Sequence, residues 1–199
     1  LYIPPPSAPG NEGISACGKS YGRPAQGILT VLEQPVYDLT QLLEQPDPLF
    51  LMLENLQDPG NLGTMIRTGE GAGITGVIMN NQTVDIFNPK TIRATMGSIF
   101  RVPFVYVPDL ALVLEQMHAK GIYTYAAHLK GQEYYDSFSF REPTAFLIGN
   151  EGNGLSKEIS DQAGQYLKIP MEGRVESLNA SIAAALLMYE AHRQRSARL

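Results

Sequence analysis

Three clusters of polar residues in this chain have the types and spacing to do chemistry. Asn61-Leu-Gly63 follows a turn-rich loop, Asn55-Leu-Gln-Asp-Pro-Gly-Asn61, and Arg67 comes about one and a half helical turns later. A guanidinium so placed either faces a phosphate or polar substrate through forked hydrogen bonds, or sits solvated on a helix that Asn61 caps. Gly149-Asn-Glu151-Gly-Asn-Gly154 sets a carboxylate among glycines. Such glycines either form a plain loop or let backbone approach a ligand closely. Ser177 and Asn179 precede an apolar segment. They either cap a helix or offer a hydroxyl and an amide to a ligand at its start.

Other chemistries lack the required arrangement. Gly71-Ala-Gly73-Ile-Thr-Gly76 matches the G-x-G-x-x-G spacing of dinucleotide sites. That fingerprint must follow a strand and open a helix, whereas here a helix precedes the glycines and a strand follows. A C-cap leading into a strand explains them. His118, His128 and His192 are scattered, Cys17 is alone, and no pair has metal-ligand spacing. No G-x-S-x-G occurs.

The elements that must carry the three clusters follow from apolar runs and caps. Residues 1–26, with Pro4-Pro5-Pro6 and Pro9-Gly10, read as linker, or as the remnant of an N-terminal substrate-binding region. Gly27–Leu32 is a short strand candidate. Asp38 caps a helix with Leu39, Leu42 and Leu43 on one face, and Leu49–Leu53 is a buried strand. A helix is expected from Leu62, closed by Gly71 and Gly73, then a strand Ile74–Met79. Asn88-Pro89 starts another helix. Val102–Val107 is a strand whose Pro103 argues for a sheet edge or a strand start. Asp109 caps a helix that ends at Gly121, Ile122–Ala126 is a strand, and 127–144 is loop. Ala145–Gly149 and Tyr166–Ile169 have the length of buried strands, separated by a polar break, and the last helix is entered through Ser177-Leu178-Asn179. Strands alternating with helices make an α/β domain over residues 27–199 with a mostly parallel sheet. Gly-rich loops at strand ends are where such sheets bind ligands.

With 199 residues, 44% hydrophobic and 18% charged, the chain can bury a sizeable core. A net charge of −5 argues against a general polyanion binder, though one face can still be basic. A single cysteine excludes an intrachain disulfide and fits a reducing, cytoplasmic setting. The longest apolar run, Ile182–Tyr189, is too short to span a membrane. The chain begins with Leu1, not Met, and reads as part of a longer product.

Taken together, three segments resemble the SpoU (TrmH-like) branch of the SPOUT methyltransferases, which methylate the ribose 2′-hydroxyl of RNA. They are Asp58-Pro-Gly-Asn61-Leu-Gly-Thr-Met-Ile-Arg67 onward to Gly73, Phe146-Leu-Ile-Gly149-Asn-Glu151-Gly-Asn-Gly154-Leu, and Ile169-Pro-Met-Glu-Gly173-Arg-Val-Glu-Ser177-Leu-Asn179 with the alanines that follow. They occur in the family's order, the stretch Asn88–Arg101 looks like its linking segment, and the likeness covers residues 26–192. The resemblance implies a C-terminal deep trefoil knot, although folds in general avoid knots. It implies S-adenosylmethionine bound in the knot, and a homodimer with the site near its interface. Carried over by position, Gly149, Ile169, Met171 and Leu178 meet the cofactor, largely through backbone. Asn61, Arg67, Glu151, Ser177 and Asn179 form the catalytic and substrate-orienting set.

The family assigns hydroxyl activation to the arginine, here Arg67. A guanidinium is almost always charged and is a poor base. Arg67 is therefore expected to grip an RNA phosphate and stabilise the developing alkoxide. RNA contact in an acidic protein falls to local charge, with Lys90, Arg93, Arg101, Arg193, Arg195 and Arg198 as candidates against a merely solvated surface. The expectation is an RNA 2′-O-methyltransferase acting on ribosomal RNA in preference to tRNA, with no metal and no membrane. Its rivals are a catalytically silent RNA-binding relative and a nucleotide-dependent oxidoreductase.

Overall fold

Leu49–Leu53 forms strand β1 with every residue buried, because neighbouring strands and two layers of helices leave its faces no water. Side chains alternate between the faces. Leu49, Leu51 and Leu53 enter one core cluster, and Phe50 and Met52 enter the other. The computed structural model describes residues 33–175 and 177–196. The Gly27–Leu32 strand candidate, the 1–26 linker, Cys17 and Arg198 lie outside the described residues.

From Val36 onward the chain forms one compact unit. After helix α1 (Leu39–Leu43) and β1 come α2 (Pro59–Ala72), β2 (Gly76–Asn80), α3 (Pro89–Thr95), a 3-10 turn (Ser98–Phe100) and β3 (Phe104–Val107). Then follow α4 (Leu110–Ala119), β4 (Tyr123–Ala127), β5 (Glu133–Tyr134) and β6 (Thr144–Ile148). The chain continues through α5 (Lys157–Gln162), β7 (Gln165–Lys168) and α6 (Ala180–Ser196). The described strands form one seven-stranded sheet in the order β3-β2-β1-β6-β4-β7-β5, and every pairing is parallel. One face packs against Leu62, Met65 and Ile66 of α2 and Ala184, Leu187 and Met188 of α6. The other packs against Leu42 and Leu43 of α1, Val113 and Met117 of α4, and Ile159 of α5.

The α/β architecture with its parallel sheet agrees with the pattern of apolar runs. Asp38, Asn88 and Asp109 cap α1, α3 and α4 as expected, and β3 with Pro103 before it is an edge strand. Several boundaries differ. Helix α2 starts at Pro59, and its N-cap is Asp58, whose carboxylate accepts the Asn61 N–H; Asn61 is not the cap. Proline costs nothing at a first helical position, where its N–H would have no partner. Gly73, at φ 77, closes α2, with Gly73 N–H bonded to Glu70 O and Ile74 N–H to Gly69 O. The G-x-G-x-x-G stretch is thus a helix end entering β2, as its order suggested. Because this turn consumes Ile74, β2 begins only at Gly76.

Two short elements escaped the sequence reading. The polar break holds α5, capped by Ser156, and the 127–144 loop holds β5. Both are too short to show a period. Strand β7 runs Gln165–Lys168, and of its residues only Leu167 is buried. Its outer neighbour is the two-residue β5, so it lies near the margin of the sheet.

Candidate active site

The carboxyl ends of β2, β1 and β6 lie side by side, and the loops leaving β1 and β6 carry the polar residues singled out above. The β6 loop turns back on itself. Asn150 and Gly154 exchange two backbone hydrogen bonds, of 3.0 and 2.8 Å. A Cβ at Gly149 would lie 2.1 Å from the Gly154 carbonyl carbon and the Leu155 nitrogen, so no other residue fits there. The Asn150 amide oxygen accepts the Gly152 and Asn153 N–H groups and fixes the tip.

This tight turn presents Glu151 to the start of α2. Its two oxygens accept the Gln57 N–H at 3.0 Å and the Asp58 N–H at 2.9 Å, and the Asn61 amide donates to the second at 3.1 Å. Burial pushes the Glu151 carboxyl up, but these donors together outweigh it and hold the group below its ordinary value. Asn61 in turn accepts from the Asn179 amide at 2.9 Å. The Asn179 oxygen takes the Ser181 N–H at 2.9 Å, the Ser181 hydroxyl at 2.7 Å and the Ile182 N–H, and so caps α6. Both amide orientations follow from this. The carboxylate of Glu151 only accepts, so Asn61 turns its NH2 toward it and its oxygen toward Asn179. One hydrogen-bonded line therefore joins residues from all three sequence clusters, bridging separations of 90 and 118 residues.

Beside this line lies a cavity of about 340 Å³, within the range of small-molecule sites. Gly149, Glu151, Ile169, Met171, Ser177 and Leu178 all line it, together with apolar Leu129, Ile148, Leu155 and Leu167. Ser177 has no hydrogen bond to another described residue. Asn61, Asn179 and Arg67 are outside the lining. Arg67 is exposed on α2, with neither an ion pair nor a hydrogen bond to any described residue, so the structure does not tie it to the line.

Several basic residues read as RNA contacts are already engaged. Arg101 forms a two-nitrogen pair with Glu70, which holds that carboxyl down at about 2. Arg193 pairs with Glu190. Arg195 donates to the carbonyls of Asp47, Pro48, Phe140 and Glu142. The side chains of Lys90 and Arg93 make no ion pair among the described residues. No group of three or more His, Cys, Asp or Glu among the described residues is placed to hold a metal, and none of the described helices is long and apolar enough to cross a membrane.

Sequence reasoning missed Glu54, Asn55, Asp58 and Asn150 as parts of this site. Glu54 follows directly on the apolar run of β1 yet is buried, with its carboxylate on the Ser156 N–H at 2.7 Å. A carboxylate at the carboxyl end of an otherwise apolar strand was the available signal.

Residues 48–189 match the model of the SpoU rRNA Methylase family. The chain is 38% identical over 139 residues to the 23S rRNA (guanosine(2553)-2'-O)-methyltransferase RlmP of Bacillus subtilis, covering 70% of this chain and 56% of that protein. It is 35% identical over 161 residues to YacO of the same organism, a protein named for the TrmH tRNA/rRNA methyltransferase family, covering 80% and 65%. The chain thus spans less than two thirds of the length of these relatives. The SpoU methyltransferase AviRb of Streptomyces viridochromogenes superposes with a TM-score of 0.78 at 34% identity over 83% of this chain and 66% of that one. Its complex with the cofactor AdoMet gives 0.76, at 34% identity over 82% and 64%. With its three motifs joined at one site, this chain belongs to the SpoU rRNA methylase family.

Proposed function

We propose that the protein transfers a methyl group from S-adenosylmethionine to a ribose 2′-hydroxyl of structured RNA, ribosomal RNA in preference to tRNA. The observation that carries this reading is the hydrogen-bonded union of Glu151, Asn61 and Asn179 beside an apolar-walled cavity. The residues present fit the cofactor. The volume suits a nucleoside-sized ligand, the walls offer Leu129, Leu155 and Leu178 to its apolar parts, and Gly149, Ile169 and Met171 border it. When bound, S-adenosylmethionine supplies a sulfonium-activated methyl group.

The protein's own residues must hold the hydroxyl in line and manage its proton. Glu151 is committed to three donors and is held ionised, so it orients the start of α2 and is not the base. Asn61 and Asn179 are committed to each other and lock the two helix starts together. Among the described residues, the Arg67 guanidinium is left uncommitted. It grips an RNA phosphate and stabilises the developing alkoxide, and that phosphate shares any base role. Ser177, at the cavity wall and without a hydrogen bond to another described residue, orients the ligand.

The C-terminal knot and the homodimer belong to the same proposal. Residues 128–132 carry the chain from β4 on one edge of β7 to β5 on its other edge, and His128 N–H bonds Leu167 O on the way. A strand passing beneath a connection of this kind supports threading. Ile182, Leu186 and Tyr189 leave an apolar stripe exposed on α6, which supports self-association. Ribosomal RNA is favoured by the RlmP likeness, and tRNA is the second reading, favoured by the tRNA/rRNA name of YacO.

The test is transfer of labelled methyl groups to total rRNA and tRNA, with the modified positions mapped by resistance to alkaline cleavage. Arg67→Ala is expected to abolish transfer while S-adenosylmethionine still binds. Collapse of cofactor affinity would refute the role given to Arg67. No transfer to either RNA by wild type would favour a silent RNA-binding protein.

A further inference from the structure

The five residues after β1, Glu54 to Asp58, touch the β6 loop at every stage of its course. Glu54 N–H donates to Ile148 O at 3.0 Å, just before the loop begins. The Asn150 amide donates to Asn55 O at 2.8 Å. Gln57 and Asp58 N–H groups hold Glu151. At the far end the Glu54 carboxylate accepts the Ser156 N–H at 2.7 Å, and Ser156 caps α5. Asn55 is itself held at φ 55, and it exchanges hydrogen bonds of 3.0 and 2.8 Å with the Asn80 side chain at the end of β2.

We propose that Glu54 and Asn150 are positioning residues that shape the Gly149–Ser156 loop into one wall of the ligand cavity: Glu54 stands outside the lining, and Asn150, which is part of that wall, acts through its hydrogen bonds to Asn55, Gly152 and Asn153. The inference rests on the methyltransferase reading for its ligand. A glycine-rich loop has many conformations open to it and little side-chain packing to choose among them. Here the choice is made by hydrogen bonds to a segment whose other end begins α2. The same bonds that shape the cofactor wall therefore also fix the distance from that wall to Asn61. Glu54 is buried, and losing its acceptor would leave the Ser156 N–H without a partner at the cap of α5.

Three substitutions in the full chain test this. Glu54→Met keeps volume and removes the acceptor. Glu54→Gln keeps an acceptor. Asn150→Asp keeps the oxygen that serves Gly152 and Asn153 and replaces the donor to Asn55 O by a second acceptor. S-adenosylmethionine is titrated by calorimetry, and amide exchange is followed at Gly152, Asn153, Gly154 and Ser156. The expected result is a cofactor Kd raised roughly tenfold in Glu54→Met and in Asn150→Asp, and changed less than about threefold in Glu54→Gln. Exchange at the loop amides should accelerate in the first two only. KM for cofactor should rise with Kd, while KM for RNA stays near wild type.

Wild-type Kd and wild-type exchange in Asn150→Asp would overturn the proposal, even if Glu54→Met did not fold. A Glu54→Gln as impaired as Glu54→Met would likewise overturn the role of the acceptor. If the wild type bound no S-adenosylmethionine, the methyltransferase reading would fail instead, and the exchange rates would still decide whether these two residues shape the loop.

Discussion

Glu151 illustrates how a carboxylate in a glycine-rich loop can serve geometry, since its oxygens hold the start of α2. Burial disfavours its charge, and the Gln57, Asp58 and Asn61 donors restore and exceed that loss. Its pKa is therefore lower in the folded protein than in the unfolded chain, near the ordinary value of 4.5. The ionised form favours folding, so its contribution is complete above that value and is lost as pH falls through and below it. In urea titrations, the stability difference between wild type and Glu151→Gln should be constant near neutrality and narrow below about pH 4.5. A difference that stayed constant down to about pH 3 would show that the charge contributes nothing.

At the scale of elements, the site depends on a turn with no spare volume. Gly149 packs against the Gly154–Leu155 peptide at a distance no Cβ tolerates. Strand β6 ends one residue earlier and is buried along its length, so the sheet can survive a change there. Gly149→Ala should displace the loop and weaken S-adenosylmethionine binding more than about tenfold, with the far-UV circular dichroism unchanged. Loss of the folded spectrum would place Gly149 in the core instead. Helix α2 meets this loop through backbone N–H groups at its own start, which explains why Asp58, and not Asn61, takes the cap. Asn61 is thereby freed to bridge Glu151 and Asn179.

Across the whole molecule, the C-terminal helix is fastened at both ends. Asn179 ties its start to α2, and Arg195 ties its last turn to the loops before β1 and β6 through four carbonyls. A planar guanidinium with five donors can satisfy such a cluster, and an ammonium cannot match its geometry. Arg195→Ala should destabilise the fold by about 2–3 kcal/mol in urea titrations, and Arg195→Lys should recover only part of this. Wild-type stability in Arg195→Ala would mean that the carbonyls find water at no cost, and the residue would return to the list of RNA contacts.

Local chemistry was readable from the chain alone. Apolar runs of strand length, Asp38, Asn88 and Asp109 at helix starts, and Gly73 at a helix end place β1, β6, α1, α3, α4 and the close of α2, because caps and periodicity act within a few residues. The three motifs and the family they resemble were likewise legible without coordinates. Partnership was not. A sequence shows that Arg101, Arg193 and Arg195 are charged, but not that Glu70, Glu190 and a set of carbonyls already occupy them. Nor does it show that Glu54 turns inward, or that Asn61 and Asn179 meet across 118 residues. Those facts depend on which strand ends lie side by side in the sheet, and long-range packing decides that, not any local preference.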